Sequence, residues 1–178
     1  VEYVKTVLKR ITIVGDYDTD GISASAILYK YFESLGVKVD VFLPQRLLDG
    51  YGLSNETIDK IENLFHPDLI ITVDCGISCY MEVEYCKKKG IDIIITDHHD
   101  IPDILPDTLI INAKLPNQMY PYKDLCGAGV ALKLVQKYGL SNKIIANLKI
   151  ANLNIEKRKL SVKNYNLPID EIIFNNFT

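Results

Sequence analysis

Three short segments of this 178-residue sequence carry closely spaced acidic and histidine side chains. The first contains Asp16, Asp18 and Asp20, the second contains Asp74, and the third is the run Asp-His-His-Asp at 97–100. Carboxylate oxygens are the ligands that Mg²⁺ prefers, and Mn²⁺ also accepts imidazole nitrogen. So many carboxylates in one place would repel one another without a cation. If the segments converge, they predict a site for divalent metal.

The spacing and residue types suggest a role for each side chain in such a site. Asp18 and Asp20 are two residues apart, so in an extended loop they could flank a pair of ions. Asp74 could bridge the ions and His98 could supply a nitrogen ligand, while His99 would be free to contact a substrate or donate a proton. A lone aspartate after a strand is more often a cap or turn former, so the prediction depends on all three segments together.

The elements that must position these residues alternate between strand and helix. Short apolar runs predict strands at residues 11–15, 37–43, 69–73, 91–96 and 108–111. Helices are predicted at residues 22–35, 54–65, 78–89 and about 128–138, the second capped by Ser54. Nearly continuous apolar strands that alternate with helices indicate an α/β fold with a mostly parallel sheet and helices on both faces. Ligands bind beyond the carboxyl ends of such strands, so we expect the three segments to meet at one edge.

The chain is long enough for one well-buried core and too short for two full-sized domains. After about residue 140 the composition changes, and Asn, Lys, Ile and Leu dominate with little periodic pattern. We therefore expect residues 1–140 to form the α/β domain and residues 141–178 to form a divergent C-terminal helical tail.

Bulk composition excludes some classes of function. The formal net charge of −3 provides no overall basic field for nucleic acid, although a local groove could still be positive. No apolar run approaches the roughly 20 residues that span a bilayer, so a soluble cytoplasmic protein with no membrane partner is expected. The four cysteines include no CxxC pair, and we expect reduced thiols.

One competing motif can be rejected from the sequence. Residues 16–21 match the opening D-x-D-x-D-G of a calcium-binding EF-hand loop. The twelfth position of that loop is Ile27, where a bidentate Glu is needed, and a strand rather than a helix is predicted before it. His66 before Pro67 is expected to lie in a turn, and Asp100, at the end of the third segment, is expected to have a turn role rather than to bind metal.

Several segments, taken together, resemble the RecJ-type DHH phosphoesterases. They are VGDYDTDGI at 14–22, PQR at 44–46 with DGYGL at 49–53, TVDCGIS at 72–78, TDHH at 96–99 and LCGAGVA at 125–131. The similarity covers about residues 9–140, in the family's order and spacing. It implies a DHH phosphoesterase catalytic domain that hydrolyses phosphodiester bonds with the help of two ions, Mn²⁺ or Mg²⁺. The implied substrate is single-stranded DNA degraded from its 5′ end, in DNA repair and recombination.

The resemblance also implies roles for the matching residues. The implied metal ligands are Asp16, Asp18, Asp20, Asp74 and His98, and the implied catalytic residues are His99 and Asp74. His99 would face the scissile phosphate.

The implied substrate contacts are His99, Arg46, Tyr51, Gly127 and Gly129. Arg46 would grip phosphate, and Tyr51 would stack on a base or pack beside the glycines. Gly127 and Gly129 would open a helix whose N–H groups receive an anion, although tight packing explains these glycines as well.

The sequence departs from the family pattern in one respect. A further aspartate that follows the glycine-rich helix start in the family has no match after Leu140, and the family's second domain is absent from these residues. We therefore expect the isolated chain to bind Mn²⁺ with reduced affinity and to have little processive exonuclease activity. Other repair or replication proteins are possible partners.

Two alternatives remain open at the level of sequence. One is a phosphodiesterase for short oligonucleotides or cyclic dinucleotides, whose members usually open with H-x-x-x-D-x-D and lack the segment corresponding to 46–53; Val14 and that segment favour the RecJ type. The other is an inactive DHH domain that serves as a scaffold. The unmatched late aspartate favours the scaffold, whereas the intact Asp18, Asp74 and His98 argue against it.

Overall fold

The computed structural model describes residues 10–44, 52–116 and 119–141, with the backbone alone for residues 138–141. Five strands form one sheet: β1 Ile11–Gly15, β2 Val39–Phe42, β3 Leu69–Val73, β4 Asp92–Thr96 and β5 Leu109–Ile111. The helices of this part of the chain are α1 Thr19–Ser34, α2 Asn55–Phe65, α3 Tyr80–Lys88 and α4 Gly127–Ser141. Residues 10–136 belong to one compact unit. The predicted tail lies outside the described residues except for Ser141.

All neighbouring strands of the sheet are parallel, in the order β2-β1-β3-β4-β5. The predicted α/β fold is confirmed, and the predicted strands and helices all exist. β2 is shorter than the predicted 37–43, because its pairing with β1 runs only from Val39 to Phe42. α3 begins two residues later than predicted, after a turn in which the Cys79 N–H donates to the Gly76 carbonyl at 2.9 Å.

Apolar side chains cover both faces of the sheet. On one face, Ile11 and Ile13 of β1 pack with Leu28 of α1 and with Ala131 of α4. The opposite face is covered by α2 and α3. Four of their residues pack with Val14 of β1: Ile58, Ile61, Val83 and Cys86. Each fully buried Ile, Leu or Val side chain stabilises the fold by about 1.5–3 kcal/mol. The expected placement of helices on both faces is therefore confirmed.

The first turn of α1 corrects one expectation. Residues 18–20 were expected to form an extended loop, but Asp18 is the N-cap of α1, and its carboxylate accepts hydrogen bonds from the Asp20 and Gly21 N–H groups at 2.9 Å each. Asp20 consequently lies inside the helix. The Asp18-Thr19-Asp20 sequence favours this start, because short polar side chains cap helices and an acidic residue suits the first turn.

The strand order places the carboxyl ends of three strands side by side. β2 and β3 flank β1, so the direction of winding reverses between β1 and β3, and α/β sheets bind ligands at such a point. Asp16 follows β1, Asp74 follows β3 and Asp97 follows β4.

None of the helices in the described part of the chain is long and apolar enough to cross a membrane. The four cysteines are free thiols, as expected.

Candidate metal centre

The three acidic and histidine segments converge at the carboxyl edge of the sheet. Among the described residues, two groups of three side chains have ligand atoms that lie within 4.8 Å of one another. One group is Asp16, Asp18 and Asp74, and the other is Asp74, His98 and His99. Asp74 belongs to both groups, so it occupies the position between them.

Asp74 is a buried carboxylate with an unsatisfied oxygen. Its side chain is 2% exposed, and its Oδ1 receives no hydrogen bond, although His98 Nε2 lies 3.0 Å away. Burial, together with the negative charges of Asp20 and Asp18, raises the pKa of Asp74 to about 7. A buried acid that lacks a donor and faces other acids is stabilised by a bound cation. The oxygen-rich donor set with one or two imidazoles therefore fits Mn²⁺ or Mg²⁺.

The backbone at Asp74 is held in an uncommon conformation. Its φ is 62°, in the left-handed region, and its N–H donates to the Thr96 carbonyl at 3.0 Å. The Thr96 hydroxyl in turn donates to the Thr72 carbonyl at 2.8 Å. A non-glycine residue in this region costs about 1–3 kcal/mol, and such strain concentrates at functional sites. The hydrogen bonds from β4 keep the turn that aims Asp74 into the centre.

Asp16 lies directly after β1 and is also buried. Its Oδ1 accepts a hydrogen bond from the Tyr17 N–H at 2.7 Å. Burial raises the pKa of the Asp16 carboxyl, and the charge of Asp18 adds to this effect while the Tyr17 N–H opposes it. A Cβ at Gly21 would lie 2.5 Å from the Asp16 carbonyl oxygen, so a glycine at 21 lets α1 begin against this turn.

Asp20 connects the centre to the start of α4. Its Oδ2 accepts a hydrogen bond from the Gly127 N–H at 2.6 Å, and its Oδ1 accepts one from the Ala128 N–H at 2.7 Å. Burial opposes ionisation, but these two donors, the Cys126 thiol and His98 together lower the pKa of Asp20. Asp20 belongs to neither ligand group, and its Oδ2 is 3.7 Å from His98 Nε2.

The two glycines of α4 have different surroundings. A Cβ at Gly127 would lie 2.5 Å from Asp74 Oδ1, so only glycine fits there. At Gly129 a Cβ would meet Leu125 Cδ2 at 3.2 Å. The N–H groups of Gly127 and Ala128 donate to the carboxylate of Asp20, whereas the prediction for this helix start was an anionic substrate. Close packing against Asp74 accounts for Gly127 as well.

Sequence reasoning gave no role to Asp97, which the structure places at the junction of two loops. Its side chain is 1% exposed, and both of its oxygens accept hydrogen bonds. Oδ1 accepts from the His98 N–H at 2.7 Å, the His99 N–H at 3.2 Å and the His99 Nδ1 at 2.8 Å, while Oδ2 accepts from the Ile77 N–H at 2.9 Å. An aspartate commonly accepts hydrogen bonds from the backbone N–H groups of the next two residues in a turn. The position of Asp97 directly after a predicted strand was the sequence signal for this role.

The two histidines lie side by side, with ring centroids 4.6 Å apart. Burial disfavours the charged form of His99, but its hydrogen bond to Asp97 and the charges of Asp97 and Asp74 outweigh this effect and raise its pKa. The buried Asn112, also missed in the sequence, donates from Nδ2 to the His99 carbonyl at 2.9 Å. His99 Nδ1 lies 2.8 Å from Asp97 Oδ1, and a ring nitrogen of His99 lies within 4.8 Å of ligand atoms of Asp74 and His98.

Residues 10–156 match the family described as "DHH family, N-terminal domain". The chain belongs to the DHH family. The single-stranded-DNA-specific exonuclease RecJ of Bacillus subtilis is 40% identical over 127 residues, which are 71% of this chain and 16% of that protein. RecJ of Escherichia coli is 43% identical over 128 residues, which are 71% of this chain and 22% of that protein.

Solved structures agree with this assignment. A crystal structure of exonuclease RecJ bound to manganese matches this DHH domain with a TM-score of 0.70 and 34% identity, over 79% of this chain and 35% of that one. The chain thus spans about a fifth of the length of the curated relatives, between 16% and 22%. The acidic cluster of this DHH domain lies where a metal ion could bind.

Two predicted substrate contacts of the DHH domain, Arg46 and Tyr51, lie outside the described residues. His66 is the C-cap of α2 with a φ of 48°, which confirms the expected turn. Asp100 lies in the loop after β4, where it pairs with Lys114 at 2.7 Å and is almost fully exposed. Asp100 belongs to neither ligand group formed by the described residues.

Proposed function

We propose that this chain is the metal-binding domain of a DHH phosphoesterase that hydrolyses the phosphodiester bonds of single-stranded DNA. The observation that carries the proposal is the buried, unsatisfied carboxylate of Asp74, shared by two groups of possible ligands. The relatives named as single-stranded-DNA-specific exonucleases support the choice of substrate. Degradation from the 5′ end, a role in DNA repair and recombination in the cytoplasm, and contacts with other repair or replication proteins belong to the same proposal.

The cofactor in this proposal is Mn²⁺ or Mg²⁺, bound as two ions. The residues that would hold the ions are Asp16, Asp18, Asp20, Asp74 and His98, with Asp74 between the two groups. Bound ions would supply Lewis acidity and lower the pKa of a bound water molecule. Asp20 would offer a ligand oxygen while it keeps its hydrogen bonds to α4, because each carboxylate oxygen has two lone pairs.

The chain's own groups would orient the substrate. The His99 side chain is 46% exposed, so a phosphate group of a substrate that enters from solvent could contact its ring. Arg46 would bind a second phosphate as a fork of N–H donors, and Tyr51 would stack on a base. The Gly127 N–H is occupied by Asp20, so any substrate contact of Gly127 and Gly129 would use the surface of the helix start.

Hydrolysis of two substrates tests the proposal. We would compare the chromogenic diester bis(p-nitrophenyl) phosphate and 5′-labelled single-stranded DNA, each with Mn²⁺ and with chelator. The small diester reports the centre even if the chain binds long DNA poorly. We expect Mn²⁺-dependent release of nitrophenol that falls more than about 100-fold in Asp74→Asn. Changing a residue that only supports a metal ligand typically lowers activity by about 10–100-fold. Asp100→Asn is the matched control, since Asp100 pairs with Lys114 in the same loop region.

Activity that persisted in Asp74→Asn or in chelator would contradict the assignment of the centre. Hydrolysis of dinucleotides in strong preference to single-stranded DNA would contradict the choice of substrate. Metal binding without hydrolysis of either substrate would favour the inactive scaffold.

A further inference from the structure

We propose that Asp97 is a positioning residue that fixes the ring of His99 with Nε2 toward the metal centre and joins the loops that carry Asp74 and the two histidines. The role of His99 toward substrate rests on the proposed function. The orientation of its ring does not, and it can be measured without metal or substrate.

The first part of the proposal concerns Oδ1 of Asp97. This oxygen accepts hydrogen bonds from the His98 and His99 backbone N–H groups and lies 2.8 Å from His99 Nδ1. An oxygen that already accepts two backbone N–H groups acts as an acceptor, so the ring nitrogen facing it carries the proton. A neutral ring protonated on Nδ1 has its lone pair on Nε2. Histidines that act at metal sites are commonly fixed in this way by a carboxylate.

The second part concerns Oδ2 of the same carboxylate. It accepts a hydrogen bond from the Ile77 N–H at 2.9 Å, and Ile77 lies in the turn three residues after Asp74. One buried side chain therefore bonds the loop after β3 and the loop after β4. The Asp74 N–H, which donates to the Thr96 carbonyl at the end of β4, adds a second link between the loop after β3 and the neighbouring strand. Both loops contribute to the ligand group of Asp74, His98 and His99.

Asp97 does not have the geometry of a ligand. It is 1% exposed, and in the described part of the chain it belongs to neither ligand group. Both oxygens point to N–H donors rather than to the carboxylates of the centre. Its effect on the centre would thus pass through His99 and through the turn at Ile77.

Asp97→Asn separates this role from a merely structural one. An asparagine has one acceptor oxygen, so it can accept from either the histidine side or from Ile77, and its NH₂ group then faces an N–H donor on the other side. We would record long-range ¹⁵N–¹H spectra of the imidazoles in the metal-free full chain, at a pH where the rings are neutral. The chain has three histidines, so single substitutions assign every signal.

We expect the wild-type His99 ring to be protonated mainly on Nδ1, whereas free neutral histidine favours Nε2. Asp97→Asn should shift His99 toward the Nε2 form and lower Mn²⁺-dependent diester hydrolysis by about 10–100-fold. Asp100→Asn, which removes the next exposed acid, should leave the His99 signals unchanged. A wild-type His99 protonated on Nε2 would overturn the proposal even if the variant failed to fold. A folded Asp97→Asn with unchanged His99 signals would overturn it too. If the wild-type chain did not hydrolyse the diester, this result would count against the proposed function and not against the role of Asp97.

Discussion

At the scale of single residues, the raised pKa of Asp74 links the stability of the fold to pH. Its pKa of about 7 in the folded protein is far above the ordinary value of 3.8. Between these two values the folded state holds a proton that the unfolded state has released. Because the folded state binds more protons in this window, the metal-free protein loses stability as the pH rises from about 4 to about 7. Above about pH 7 both states are ionised, so this group causes no further change in stability.

Asp74→Asn should therefore stabilise the metal-free protein. We expect its melting temperature in chelator to exceed that of the wild type, with a difference that grows between pH 4 and pH 7 and is constant above that. Each unit of pKa difference corresponds to about 1.36 kcal/mol. Thermal unfolding at pH 5 and pH 8 measures the effect, with Asp100→Asn as the exposed control. A variant less stable than the wild type at pH 8 would contradict this interpretation of Asp74.

At the scale of elements, α1 and α4 are held together at the centre by Asp20 and Gly127. The hydrogen bond between them joins residues 107 positions apart. A Cβ at Gly127 would meet Asp74 Oδ1 at 2.5 Å and Asp74 Cβ at 2.6 Å, and the left-handed backbone of Asp74 leaves little room for movement. The start of α4 is therefore part of the centre although it carries none of its ligands.

Gly127→Ala should damage metal binding far more than Gly129→Ala. Overpacking against Asp74 should cost about 1–3 kcal/mol of unfolding free energy and lower Mn²⁺ affinity at least tenfold. The Cβ of Gly129→Ala would meet only the end of the Leu125 side chain at 3.2 Å, which can shift, so most of the Mn²⁺ response should remain. Titration with Mn²⁺, followed by thermal unfolding, compares the two variants. Equal effects would show that the contact with Asp74 is not decisive.

Elements and site were predictable from sequence to different extents. The strands at Ile11–Gly15 and Leu69–Val73 were found with their observed bounds, since continuous apolar runs are a direct signal of buried parallel strands. α1 begins three residues before its predicted start at residue 22, because Asp18, predicted as a metal ligand, caps the helix. The contacts of Asp20 with α4 and of Asp97 with Ile77 depend on tertiary packing, so no local pattern reveals them.

At the scale of the whole molecule, metal binding should act as a measurable source of stability. A ligand present at 100 times its Kd stabilises the folded state by about 2.7 kcal/mol. For a chain of this size that corresponds to a rise in Tm of about 5–11 °C. We expect such a rise with Mn²⁺ in the wild type and none in Asp74→Asn.

A variant on the opposite part of the fold provides the control. Lys89 follows α3 and bonds two acids of α2, Asp59 at 2.8 Å and Glu62 at 2.6 Å. Lys89→Met should lower stability by up to about 1 kcal/mol, as partly exposed ion pairs do. The rise in Tm with Mn²⁺ should equal that of the wild type, because Lys89 contacts none of the residues of the centre. A smaller rise in Tm than in the wild type would indicate that the effect of Mn²⁺ depends on the overall stability of the fold and not on the centre alone.

The two hydrogen bonds between Asp20 and the first turn of α4 also imply an order of events during translation. The ribosome releases every acidic and imidazole group of the centre before it releases residues 127 and 128, whose N–H groups hold Asp20. A nascent polypeptide therefore displays its acidic side chains before Asp20 has its final orientation. The arrangement of these side chains is complete only after all five strands of the sheet have been synthesised.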